Sequence, residues 1–381
     1  MNPVLSNMTP FIVMEVLEKA QMMEKQGIRV IHLEVGEPDF NVPSCVMDAS
    51  HKALDRGFTH YTHSMGNPVL REAIAAFYYN EYGVKIDPGC ILVTSGSSPA
   101  ILMVLITLCQ PGDEVLISNP GYPCYRNFIL ACQAVPVDVP LSASNGFQFD
   151  LREVQKLRTS RTRAIIVNSP MNPCGTVVHD EVYRQLIATG IPVISDEIYH
   201  GLVYSGKARS ILEFSSDSFV VNGFSKRYAM TGLRLGYVIA PKPYIRHMQI
   251  LQQNLFICAP SVSQQAAIAA LEQGQNDVAN MCKVYNQRRI YMLERLKSMG
   301  FKSEAEPQGA FYIFADACRF TCNSYQFAFD LLEHAHIGVD PGIDFGSRGE
   351  GFIRFSYANS LDNITEGMDR LEKYLKKAKN I

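Results

Sequence analysis

The 381-residue sequence predicts an α/β protein: a large unit with a mostly parallel seven-stranded sheet between helices, plus a smaller α+β unit. Three observations predict it. Between about residues 90 and 240, short β-rich runs alternate with helical patterns, as strand–helix–strand crossovers require. Runs such as Ile165-Ile166-Val167 are apolar on both faces, as expected of strands covered by helices on either side. After Gln264 the pattern changes to long helices, and residues 309–356 mix strands and helices on a smaller scale.

The first thirty residues read as an arm and then a helix, Val13 to Gln26, stopped by Gly27. The candidate strands are Ile91–Thr94, Glu114–Ser118, Val135–Val139, Ala164–Asn168, Pro192–Asp196, Phe219–Asn222 and Gly236–Ala240. A helix from about Asp277 to Met299 is placed to link the two units. The C-terminal helix puts Ile364, Met368, Leu371 and Leu375 on one face, leaving Lys373, Lys376, Lys377 and Lys379 as a solvated face. The expected division is an arm and helix (1–35) belonging with the small unit, a large cofactor-binding unit (36–276) and a small C-terminal unit (277–381).

Composition narrows the function. Hydrophobic residues at 47% can fill a large core, and charged residues at 19% are too few for a disordered chain. A net charge of −2 offers no field for nucleic acid or an anionic membrane. The longest apolar run, Ala100–Cys109, is half the length of a membrane span, and Pro3 and Pro10 interrupt any signal-peptide pattern. Ten scattered cysteines read as reduced thiols, so a cytoplasmic location is expected. Only Cys318 and Cys322 lie close together, with no second pair, so no metal site is expected.

Four features fall at predicted strand ends, where open α/β sheets place their ligands. Thr94-Ser95-Gly96-Ser97-Ser98-Pro99 before an apolar helix makes an anion cradle of free N–H groups and hydroxyls, though serine capping alone would look the same. Asn168-Ser169-Pro170-Met171-Asn172-Pro173-Cys174-Gly175 is a rigid turn whose amides can face a polar ring substituent, or simply a turn. Asp196-Glu197-Ile198-Tyr199 ends a buried strand, and a carboxylate there needs a cation; with no His or Cys at ligand spacing, a protonated ligand nitrogen suits better than a metal. Lys226, after Val221–Ser225, is a candidate amine nucleophile or a plain surface lysine, with Arg234 eight residues on.

A phosphate cradle, an amide, a carboxylate, a phenol, a lysine and an arginine are together the groups that hold pyridoxal 5'-phosphate. In their order and spacing, the chain resembles the aspartate aminotransferase family, class I/II of the fold type I pyridoxal-phosphate enzymes. The resemblance runs from Gly36-Glu37-Pro38-Asp39-Phe40, through Tyr61 and Gly66, to Pro307–Tyr312 and Phe352–Tyr357. It implies that Lys226 forms the Schiff base and shuttles the proton, while Asp196 keeps the pyridine nitrogen protonated. Asn172 and Tyr199 would bond the phenolic oxygen. Gly96, Ser97, Ser98 and Arg234 would hold the phosphate, and Tyr122 would stack on the ring. Arg354 would clamp the substrate α-carboxylate, assisted by Asn168 and the backbone of Gly36. Tyr61 would reach the phosphate of a neighbouring subunit, making the enzyme a homodimer with shared sites.

Some positions depart from the family's commonest patterns: Cys174 stands for threonine, Gly223 for a phosphate-binding serine and Leu233 for tryptophan. None removes a group the chemistry needs. Gly342, Gly346 and Gly349 lack the spacing and position of a dinucleotide loop. The expected reaction is ping-pong transamination between an L-amino acid and a 2-oxo acid. A β-lyase or decarboxylase on the same scaffold is the alternative, although a decarboxylase must loosen the carboxylate that Arg354 would grip. A non-catalytic regulator is the remote one, with about thirty residues before Gly-Glu-Pro-Asp and Lys226 present. In relatives the stretch matching Phe11–Met14 approaches the substrate side chain. Here it is apolar, and no Lys or Arg lies between Ser97 and Tyr125, which favours neutral or aromatic donors.

Overall fold

The computed structural model describes residues 3–378, so Lys379 of the predicted solvated face lies outside the described residues. A two-residue strand β1 (Ile31–His32) comes first. The large sheet is built from β2 (Ile91–Thr94), β3 (Glu114–Asn119), β4 (Val135–Pro140), β5 (Thr162–Asn168), β6 (Val193–Asp196), β7 (Phe219–Gly223) and β8 (Gly236–Ile239). Their order across the sheet is β2-β8-β7-β6-β5-β3-β4. The five strands from β4 to β7 pair in parallel, and β8 runs antiparallel to both its neighbours. The connection 224–235 carries turns and no helix, so it cannot make the crossover a parallel return needs.

Alternation within one strand shows both faces covered. Ile165 and Val167 enter one apolar core, whereas Ala164 and Ile166 enter the core on the opposite face. All four are at most 1% exposed, which explains the continuous apolar run in the sequence.

The smaller sheet comprises β9 (Tyr312–Asp316), β11 (Asp340–Pro341) and β12 (Phe352–Ser356), in the antiparallel order β11-β12-β9. Between them in sequence, β10 (Ile337–Gly338) pairs in parallel with β1 and ties the N-terminal arm to this part of the chain. Ile364, Met368, Leu371 and Leu375 of the C-terminal helix are buried in its core, as their spacing predicts. The long helix spans Gln275–Met299 and contributes Val278 to the large core and Met281, Tyr285 and Met292 to the small one. The first long helix runs Ile12–Lys25, one residue earlier than its pattern predicts, and buries Val16 and Ala20 against Leu332. No helix among the described residues is long and apolar enough to cross a membrane.

Candidate active site

A cavity of about 430 Å³ opens at the C-terminal ends of the parallel strands. Ser97 and Ser98 reach it from the helix after β2, Tyr122 from the turn after β3, Asn168 from the end of β5 and Asn172 from the turn after it. Asp196 comes from the end of β6 and Tyr199 from the turn after it, Ser225 and Lys226 from the turn after β7, and Arg234 from the approach to β8. Gly36 and Arg354 are also among the lining residues. Every expected site residue lines the cavity except Gly96, which immediately precedes the helix Ser97–Leu108, and Tyr61, which is 84% exposed.

Asp196 is the last residue of β6 and only 4% exposed. The Tyr125 hydroxyl donates to its Oδ2 at 2.6 Å and the Ile198 N–H to its Oδ1 at 3.1 Å. Burial pushes its carboxyl up to about 6 despite both donors and the charge on Lys226. Among the described residues, no cation lies within ion-pair distance of it. Lys226 donates from Nζ to the Gly36 carbonyl at 2.6 Å. Burial lowers this amine to about 8; Glu37 and Asp196 oppose the drop, while Arg354 and Arg234 add to it. An amine near 8 is partly free base at neutral pH, as a nucleophile or proton carrier must be.

The helix Ser97–Leu108 starts without a side-chain cap, so its first N–H groups face the cavity unclaimed by a capping side chain. Gly96 precedes it at φ 102°, and a Cβ there would sit 2.8 Å from Arg234 Nη2. Glycine therefore lets the guanidinium close over the helix entrance, where Arg234 Nη1 donates to the Thr231 carbonyl at 2.8 Å. At the other end, Arg354 is 2% exposed. Its Nη1 donates to Asn172 Oδ1 at 2.9 Å and its Nη2 to the Glu34 carbonyl at 2.6 Å, while buried Nε has no hydrogen-bond partner among the described residues. Tyr312 lies under this guanidinium at 4.3 Å, and its hydroxyl is 2.9 Å from that of Tyr199. A Cβ on Gly36 would collide with the Tyr312 hydroxyl, so the arm passes over the cavity as bare backbone.

The family pattern described as aminotransferase class I and II matches residues 28–371. The chain is 43% identical to the (5-formylfuran-3-yl)methyl phosphate transaminase of Methanocaldococcus jannaschii, with 98% of this chain and 99% of that one aligned. It is 37% identical to an aspartate aminotransferase of Pyrococcus horikoshii, over 95% of this chain and 93% of the other. The crystal structure of Thermus thermophilus aspartate aminotransferase with maleate superposes at a TM-score of 0.94 and 33% identity, covering 98% and 99% of the two chains. The chain belongs to the class I and II aminotransferases. As a transaminase of this family it uses pyridoxal phosphate, and these relatives give the lyase alternative no support.

The aminotransferase's own geometry fits that cofactor. An uncapped helix entrance beside Arg234 suits a phosphate, a buried carboxyl without a cation suits a protonated ring nitrogen, and an amine near 8 lies in the same cavity. Asn168 lines the cavity and also joins its neighbours to one another. Its Nδ2 donates to the Asp196 carbonyl at 3.0 Å and its Oδ1 accepts from the Asn172 N–H at 2.8 Å. The amide that meets Arg354 is that of Asn172, because the turn 168–172 folds the second asparagine back over the first. Sequence reasoning missed Tyr125, Tyr312 and Asp340. Tyr125 was legible, one helical turn from Tyr122, and Tyr312 lay inside a quoted motif. Asp340, whose Oδ2 is 2.8 Å from Arg354 Nη2, gave only the signal of an acid within an apolar strand.

Proposed function

We propose that this aminotransferase moves an amino group between a neutral or aromatic L-amino acid and a 2-oxo acid by a ping-pong mechanism. The observation that carries the reading is the make-up of the cavity wall. Phe11, Val13, Met14, Leu17 and Ile101 form an apolar side, and the lining cations are Lys226, Arg234 and Arg354. Arg354 is assigned to the α-carboxylate and Arg234 to the cofactor phosphate, which leaves no further arginine among this chain's described lining residues for a side-chain carboxylate.

Bound pyridoxal phosphate supplies the electron sink that makes the donor's Cα–H acidic. Lys226 Nζ takes that proton, and Asp196 holds the proton on the ring nitrogen. Asn172 and Tyr199, the latter steadied by Tyr312, orient the phenolic oxygen, and Tyr122 covers the ring. Ser97, Ser98, the Gly96 backbone and Arg234 hold the phosphate. Asn168 positions Asp196 and Asn172 through the hydrogen bonds above. Exposed Tyr61 completes the site of a second copy, so the working enzyme is a homodimer with shared sites. The arm 1–35 acts with the unit 277–381 against the cofactor-binding unit 36–276, and the scattered cysteines suit a reducing cytoplasm.

A panel of donors tests the reading. Phenylalanine, tyrosine or neutral aliphatic donors should exceed aspartate and glutamate in kcat/KM by roughly tenfold or more, since an unpaired buried carboxylate costs at least ~1.4 kcal/mol. A preference for aspartate would reverse it. The 43% identity to a transaminase named for a phosphorylated furan aldehyde favours one second reading of the acceptor. An aldehyde of that kind has no α-carboxylate, and Arg354 would then take its phosphate; such an aldehyde belongs in the acceptor panel.

A further inference from the structure

Arg354 is braced by an acid that the reaction does not use, and a second acid lies four residues on from it. Asp340, fully buried on β11, holds Oδ2 2.8 Å from Arg354 Nη2. Four residues on, Asp344 turns its carboxylate to the start of the helix Ile12–Lys25. Its Oδ1 accepts from the Ile12 N–H at 3.0 Å and its Oδ2 from the Val13 N–H at 3.4 Å. That helix has no cap of its own, because Phe11 at its N-cap position offers no acceptor. Asp344 therefore does the capping from 332 residues away in sequence. Burial raises the Asp340 carboxyl well above the usual range; the charge on Arg354 opposes the rise and that on Asp344 adds to it.

The capped turn forms the apolar side of the cavity. Phe11 packs edge-on against Tyr122 at 6.1 Å, and Val13, Met14 and Leu17 face the space beside Arg354. We propose that Asp344 is a specificity-positioning residue: by capping the helix Ile12–Lys25 it fixes the helix start that walls the donor's side-chain pocket. The inference rests on the reading of that pocket given above. It goes beyond it in assigning the wall's position to an acid that touches neither donor nor cofactor.

The test uses holoenzyme of Asp344→Ala and Asp344→Asn, with phenylalanine and alanine as donors and hydrogen exchange followed on the peptide covering residues 11–20. Asp344→Ala should raise KM for phenylalanine about tenfold, equivalent to ~1.4 kcal/mol, leaving kcat and the KM for alanine nearly unchanged. The Ile12 and Val13 amides should exchange at least tenfold faster. Asp344→Asn keeps one acceptor oxygen and should show the same donor-selective change at roughly threefold, since half the capping remains; it carries the test alone if the alanine variant does not fold. Equal shifts for both donors, or unchanged exchange at residues 12 and 13, would overturn the proposal. Arg354→Lys, run in parallel, should weaken both donors alike. If it does not, the carboxylate reading of Arg354 fails, while the exchange data still decide whether Asp344 holds the helix.

Discussion

Replacing Asp196 by asparagine separates the charge of this carboxyl from its shape. Burial moves the group from 3.8 to about 6, so ionising it in the empty site costs about 3 kcal/mol at ~1.4 kcal/mol per tenfold. The folded chain holds this proton more tightly than the unfolded chain. The group's contribution to stability is therefore complete below pH 3.8 and is lost as pH rises through about 6. At pH 8 the wild-type apoenzyme carries a penalty that a neutral amide lacks. The amide gives some of this back: only its Oδ1 can accept, so Tyr125 must turn to accept from Nδ2, a loss on the order of 1 kcal/mol. In urea unfolding of the apoenzyme, Asp196→Asn should be about 2 kcal/mol more stable than wild type at pH 8 and about equal near pH 4.5. Turnover should move the other way. With cofactor bound, the variant loses one partner of a buried ion pair worth about 3–5 kcal/mol, which predicts a fall on the order of 10² to 10³. Unchanged apo stability at pH 8 together with near-normal turnover would refute both the buried charge and its assigned partner.

Because Lys226 is lowered to about 8, the apoenzyme should combine with pyridoxal phosphate faster as pH rises to that value and level off above it. Borohydride should then fix the cofactor to the Lys226 peptide, and a label on another lysine would contradict the assignment. Arg354→Lys keeps the charge but loses the planar fork, and kcat/KM for amino acids should fall about 10²-fold; an unchanged value would remove the α-carboxylate from this residue. Tyr61→Phe should weaken activity or cofactor retention roughly ten- to hundredfold, the worth of a hydrogen bond to a charged group. Refolding it with Lys226→Ala should restore activity toward about a quarter of wild type, because half the dimers gain one intact site; a mixture no better than the average of its parents would place Tyr61 in its own chain's site or in none.

The large sheet was legible because its strands are buried on both faces and read as unbroken apolar runs, as Ala164–Val167 shows. The antiparallel set of β8 was not, since direction depends on whether the connection 224–235 makes a crossover, and apolar runs carry no direction. The strand-end groups Asp196, Asn172 and Lys226 could be read because each ends a buried strand or lies in the turn just after one. Asp344 and Asp340 could not, because their partners Ile12, Val13 and Arg354 lie far away in sequence or are plain backbone amides. The hydrogen bonds that Asn168 makes to the Asp196 carbonyl and to the Asn172 N–H were likewise hidden, because two asparagines four residues apart look alike until the chain folds.

The two half-reactions, followed separately on the holoenzyme with no second substrate present, test the central claim most directly. A neutral or aromatic amino acid alone should convert the bound cofactor stoichiometrically to its amine form and release its own 2-oxo acid without ammonia. Adding a 2-oxo acid after removal of the first product should restore the original spectrum and yield the matching amino acid. Ammonia released in step with the oxo acid, or a spectrum that changes only when both substrates are present, would contradict ping-pong transamination at this site.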